Sequence, residues 1–234
     1  MCGIAGLFAK TPAAERRLGD HLADMLLQLA DRGPDSAGVA VYHRDRVPAM
    51  EITKQIGHPS RLIEAARLRS ASATHALGHT RMATESRVTT EHSHPFSTGP
   101  DVCLVHNGSL SNHNRLRMRL RQHGVAFRTD NDSEVAAGFL SWRLAEGDAL
   151  EEALEAMLGA LDGFYTFAVG TRDGFAVLRD PIACKPAVLA ETDDWVAMAS
   201  EHRAIAVLPG AEDAELWEPE PARVYSWSRA AVAA

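Results

Sequence analysis

The sequence predicts an α+β domain built in layers. Three observations point there. Predicted strands and helices come in separate groups along the chain, not in strict alternation. The stretch "FYTFAVG-TRDG-FAVLRD" (164–180) reads as an antiparallel β-hairpin, two apolar runs around a Gly-containing turn. The predicted helices carry a single apolar stripe each, as layers covering a sheet do.

The elements follow in order. "GIAGLFA" (3–9) reads as a first strand. The next segment places Leu18, Leu22, Met25, Leu26 and Leu29 on one helical face, and Gly33-Pro34 stops it. "GVAVYH" (38–43) alternates as a strand, and 60–71 reads as a helix. "ALGHTRMA" (76–83) and "VCLVHNG" (102–108) look like buried strands that end in polar residues. Ser111 is a candidate N-cap, and Gly124 a stop, for the helix between them. Val135, Phe139 and Trp142 mark one more helix and "DALEEALEAMLGAL" (148–161) the next. The hairpin, "AVLA" and "WVAMAS" complete the strand series, and the tail from about Pro209 is less regular, a closing strand plus a loose end. No linker divides residues 1–234, so one domain is expected.

Composition narrows the function. The formal net charge of −7 argues against a nucleic-acid binder. Three cysteines, Cys2, Cys103 and Cys184, do not make a disulfide framework and fit a reducing cytosol. "MCGIAGLFAK" has neither the basic segment of a secretory signal nor the length of a membrane span, so a cytoplasmic location off the membrane is expected. Cys103 and Cys184 are expected to be buried. His75, His79, His92, His94 and His106 cluster, but a His-x3-His pair in a strand is too far apart to share a metal easily. Arg115, Arg117, Arg119 and Arg121 read as a solvated helix face, with partner docking as the less common reading.

Polar stretches at the ends of apolar segments are where active sites are often built. Here they are "DRGPDSAG" (31–38), "GHTRMATES" (78–86), "VHNGSLSN" (105–112) and "TDNDSE" (129–134). Taken singly each has an ordinary reading. Asn107-Gly108 is a turn dipeptide, Asp132 a helix cap, Arg81 a surface ion pair, Arg32 part of a surface turn, and Cys2 an accident of the chain start. Cys2 has a second reading. If Met1 is removed, Cys2 carries a thiol and a free α-amine. Such amines titrate at about 7.7–8.0, which suits a general acid–base beside a thiol that needs one.

Together with "MCGIAGLF", "RDPIACKPAV" (179–188) and "MASEHRAI" (198–205), these motifs resemble the class II glutamine amidotransferases, and the resemblance spans most of the chain. It implies a four-layer αββα N-terminal-nucleophile hydrolase fold with two packed antiparallel sheets. It implies that Cys2 attacks the side-chain amide of glutamine and forms a γ-glutamyl thioester. Asn107 and Gly108 would supply the oxyanion donors. Arg81 would take the substrate carboxylate, Asp132 its ammonium, and Thr84 a further contact, with Arg32 near the thiol. Many members read "HTRWATHG" where this chain reads "HTRMATES". Met82 replaces tryptophan and Glu85-Ser86 replace His-Gly, so the loop over bound glutamine is altered.

No phosphate loop or dinucleotide fingerprint is present, so the acceptor chemistry is expected on other polypeptides. The chain looks most like the amidotransferase subunit of N-methylglutamate synthase. That resemblance implies glutamine or glutamate as substrate, flavin-containing synthase-like partner subunits, and FMN and iron–sulfur groups on those partners, with no cofactor in this chain. The other readings are the glutaminase subunit of a glutamate synthase, a free-standing γ-glutamyl amide hydrolase, and a non-catalytic glutamine-binding module.

Overall fold

The computed structural model describes residues 1–83 and 87–232. Among these residues twelve strands form two antiparallel sheets. The first half of the chain contributes β1 (Gly3–Ala9), β2 (Ser36–Tyr42), β3 (Met50–Ile56), β4 (His75–Arg81), β5 (Phe96–Gly99) and β6 (Val102–Leu110). The second half contributes β7 (Gly163–Thr171), β8 (Gly174–Arg179), β9 (Val188–Glu191), β10 (Trp195–Ala199), β11 (Glu215–Trp217) and β12 (Val224–Ser228). The helices are α1 (Pro12–Gln28), α2 (Pro59–Ala65), α3 (His113–Gln122), α4 (Asp132–Glu146), α5 (Leu150–Ala160), α6 (His202–Ile205) and α7 (Arg229–Val232). One sheet runs β11-β9-β10-β1-β4-β2-β3, the other β12-β8-β7-β6-β5. Among the described residues no helix is long and apolar enough to cross a membrane.

The period of two in a strand explains the layering. In β1, Ala5, Leu7 and Ala9 join Leu18, Leu22, Met25 and Leu26 of α1 in one core. Ile4 and Phe8 point the other way, into a core between the sheets with Val105, Phe175 and Met198. In β6, Cys103 and Val105 face that same middle core, while Leu104 and Leu110 face α3, α4 and α5. Both faces of the central strands are therefore buried, which is why they read as unbroken apolar runs. The sheets approach closely where β1 has Gly6, since a Cβ there would lie 2.6 Å from the Phe175 ring. This is the αββα architecture the resemblance implied.

Several local expectations change. The helix expected over 60–71 ends at Ala65, because Arg67 adopts a left-handed φ of 47° and turns Leu68 into the core. Ser111 does not cap α3. Its hydroxyl bonds Asp162, and the helix starts after Asn112. Asn131, not Asp132, caps α4, its Oδ1 accepting from the Ser133 N–H at 2.8 Å. Cys184 is exposed, whereas Cys103 is buried as expected. Arg117 is buried rather than solvated. The tail supplies not one closing strand but two, one at an edge of each sheet. β3 and β5 went unread because both are edge strands, held by backbone pairing rather than by an apolar pattern.

Candidate active site

The site lies where β1, β4 and β6 end. β1 and β4 are paired in register, Gly3 opposite Thr80, so Cys2 and Arg81 emerge side by side. A cavity of about 880 Å³ opens there, and its walls include Cys2, Arg81, His106, Gly108, Asp132 and Ser133. Cys2, Arg81, Gly108 and Asp132, which the resemblance marked, thus meet in one place from four separate segments. Thr84, and the Glu85-Ser86 departure, lie outside the described residues.

The Cys2 thiol is held by the backbone after Arg81: the Met82 N–H lies 3.4 Å from Sγ. That segment is itself pinned, since Asp35 accepts from the Ala83 N–H at 2.8 Å and donates its own N–H to the Arg81 carbonyl at 3.1 Å. The Met1 ammonium rests 2.7 Å from the Met82 sulfur. Arg32 arrives on the turn after α1. Its Nε donates to the Cys2 carbonyl at 2.9 Å, and its Nη1 pairs with Glu201 at 2.5 Å. Glu201 also pairs with Arg203 at 2.5 Å. The Arg32 hydrogen bond is the main reason the Glu201 carboxyl titrates below its ordinary range.

Asn107 and Gly108 are not a turn. They lie inside β6, opposite Thr166 and Tyr165 of β7. Gly108 has φ +146°, and a Cβ there would meet the Phe164 carbonyl at 2.0 Å, so only glycine fits and its backbone stays open to the cavity. Asn107 lies just beneath the cavity floor, with Nδ2 3.1 Å from the Cys2 carbonyl and 3.1 Å from the Ser200 hydroxyl.

Asp132 is the first residue of α4. Oδ2 accepts from the Leu110 N–H at 2.9 Å, and Oδ1 stands 4.0 Å from Nδ1 of His106. The loop that delivers it is clamped from both sides. Arg117 donates to the carbonyls of Thr129 (2.5 Å) and Asn131 (3.0 Å), and Glu134 accepts from the N–H groups of Arg128 and Thr129. His79, His94 and His106 pack together at the cavity wall, His94 and His106 lining it and His79 behind them, with the His79 and His94 rings stacked at 4.0 Å. Burial holds all three below the ordinary imidazole range, His79 at about 3. Loss of hydration thus favours the neutral form of each ring. Among the described residues no three His, Cys, Asp or Glu side chains are placed to hold a metal ion.

Sequence reasoning assigned no role to Asp35, Ser200 or Glu201, and it read Arg117 as part of a solvated face. Ser200-Glu201 carried a readable signal, a polar pair directly after an apolar strand, as in "GHTR" and "VHNG". Arg117 carried none, because its partners are backbone carbonyls 12 and 14 residues away.

Comparison with known proteins gives the family. Residues 79–207 match the family described as glutamine amidotransferase domain. The chain is 45% identical to the glutamine amidotransferase-like protein GlxB of Rhizobium meliloti, covering 97% of this chain and 98% of that protein. It is 34% identical to a glutamine–fructose-6-phosphate aminotransferase of Shewanella oneidensis, over 74% of this chain but only 27% of the relative. The glutamine phosphoribosylpyrophosphate amidotransferase of B. subtilis shares the fold, with a TM-score of 0.81 at 24% identity, covering 98% of this chain and 48% of that one. The chain belongs to the glutamine amidotransferase domain family and is a class II glutamine amidotransferase of the N-terminal-nucleophile fold.

Proposed function

We propose that this chain releases ammonia from glutamine through a γ-glutamyl thioester on Cys2, on behalf of a synthase carried by partner subunits. One observation carries the first part: a thiol, a guanidinium, a carboxylate and the Gly108 backbone line one cavity from four separate segments, with the Asn107 amide just beneath it. Arg81 suits the substrate carboxylate as a planar two-pronged donor, and Asp132 suits the ammonium. The Cys2 thiolate adds to the amide carbon. The oxyanion forms beside Asn107 and the Gly108 N–H. It collapses as ammonia leaves with a proton, and water then cleaves the thioester to glutamate and free thiol. The base is the α-amine that Cys2 exposes once Met1 is gone, with Arg32 steadying the Cys2 carbonyl.

For the assembly, we propose the N-methylglutamate synthase type, with flavin-bearing, synthase-like partners. That type rests on the sequence resemblance, and coverage supports only the coarser reading of a separate amidotransferase chain. The chain spans nearly all of GlxB but about a quarter of the aminotransferase. A glutamate synthase partner and a free-standing hydrolase are separated from it by what co-purifies. The test is glutamate and ammonia release from glutamine by the purified chain, with and without its captured partners. Release by the chain alone with no flavoprotein retained supports the hydrolase. Flavin-dependent formation of N-methylglutamate from methylamine supports the proposed assembly, and ammonia-dependent glutamate formation alone overturns it.

Arg117→Met tests the grip on substrate. Methionine keeps the apolar stem but leaves the carbonyls of Thr129 and Asn131 unpaired, so the loop presenting Asp132 loosens. KM for glutamine is expected to rise about tenfold, ~1.4 kcal/mol, with kcat within about twofold. An unchanged KM means that Asp132 does not depend on this clamp.

A further inference from the structure

An asparagine amide has two ends of opposite character, and a strand does not choose between them. The terminal torsion of Asn is broad and roughly two-fold. β6 therefore delivers the Asn107 amide to the right place without deciding whether nitrogen or oxygen faces Cys2. The neighbours decide it. One end lies 3.1 Å from the Cys2 carbonyl, which can only accept, so the nitrogen belongs there. That nitrogen also reaches the Ser200 hydroxyl, which already accepts from the Ile4 N–H at 2.9 Å. The other end, Oδ1, lies 3.2 Å from Nε2 of His79. The same Nε2 is 3.2 Å from the His106 carbonyl. Both of its neighbours accept, so Nε2 must carry the proton and Nδ1 must be bare. Nδ1 is indeed buried with no partner. The ring cannot easily turn away, being fully buried and stacked on His94.

We infer that His79 is a positioning residue that holds the Asn107 amide with Nδ2 toward Cys2 by donating a hydrogen bond from Nε2 to Oδ1. This rests on the proposed reading of Cys2 as nucleophile and Asn107 as oxyanion donor. A flipped amide would present an oxygen to the developing negative charge, turning a donor into a repulsion. The His79 imidazole removes that alternative.

Two experiments test it. The first needs no turnover. In ¹⁵N-labelled protein the His79 ring should show a protonated Nε2 and a bare Nδ1, unchanged between about pH 6 and 8. A protonated Nδ1 overturns the assignment. The second is a double-mutant cycle on glutamine hydrolysis. His79→Phe should lower kcat about 30-fold, part of the 10²–10³ that loss of the donor itself costs, with KM within about twofold. In an Asn107→Ala background the same substitution should change kcat less than about twofold. Equal losses in both backgrounds mean that His79 serves the fold and not Asn107, and the inference fails. His79→Gln, which keeps an N–H donor, should recover part of the loss. It also serves as the variant if phenylalanine does not fold. If wild-type protein shows no Cys2-dependent release, the reading of the site has failed, while the tautomer measurement still confirms or overturns the placement of the Asn107 amide.

Discussion

Cys2→Ala is expected to abolish glutamate release, by on the order of 10⁴-fold or more, while leaving glutamine affinity within about twofold. The thiol sits on the cavity wall with Arg81 and Asp132, the residues proposed to hold the substrate. No other thiol can take over. Cys103 is buried between the sheets against the Tyr42 hydroxyl, and burial pushes it up to about 12. Cys184 is exposed and does not line the cavity. Isothermal binding of glutamine to the alanine variant, beside a release assay, checks both halves. Retained turnover would place the nucleophile elsewhere. The same mechanism makes the start of the chain decisive. With Met1 in place, its ammonium lies on the Met82 sulfur, and the Cys2 nitrogen is a peptide N–H that cannot act as a base. An N-terminal extension should therefore silence the protein. Protease removal that leaves Cys2 first should restore it. Equal rates before and after cleavage would exclude the α-amine as the base.

The second large effect is on stability in acid. His75, His79, His94 and His106 are all buried and all held below the ordinary imidazole value, chiefly by loss of hydration, His75 and His79 at about 3. The unfolded chain titrates these groups near about 6.5, so it binds protons that the native state does not. Their contribution is fully present above about pH 6.5 and is lost as pH falls from there toward about 3. Each lost proton costs about 1.4 kcal/mol per pH unit, so four together cost up to about 5 kcal/mol per unit, against a typical total stability of about 5–15 kcal/mol. The urea midpoint is expected to drop steeply between about pH 6.5 and 5, above the range where carboxylates such as Glu201 titrate. His75→Gln should flatten that slope by close to one proton, since His75 lies away from the cavity against Tyr42 and the Thr171 carbonyl. A slope worth less than one proton for the wild type would mean that water reaches these rings.

The sequence was most legible where strands run straight into polar motifs. β1, β4 and β6 were readable from their apolar runs, and each carries or adjoins a residue that the family resemblance marked: Cys2 just before β1, Arg81 at the end of β4, and Asn107-Gly108 within β6. Asp132 was readable too, although the helix cap assigned to it belongs to Asn131. The edge strands β3 and β5 were not, since their places come from pairing with β2 and β6. The arginine run on α3 misled because charge alone does not report depth. Arg117 is satisfied by carbonyls and can be buried, while its neighbour Arg119 lies over the Trp142 ring.

By itself the sequence determined the layer type, through the periods of its apolar residues, and the kinds of group the site contains, through short motifs whose chemistry is local. Tertiary structure alone decided how those groups face one another. Arg32 reaches the Cys2 carbonyl across 30 residues, Ser200 reaches Asn107 across 93, and Glu201 reaches Arg32 across 169. The direction of the Asn107 amide is set between the Cys2 carbonyl and His79, which lies on another strand in another sheet. Such pairings leave no periodic trace, because hydrogen bonds depend on position in space and chain distance carries no record of it.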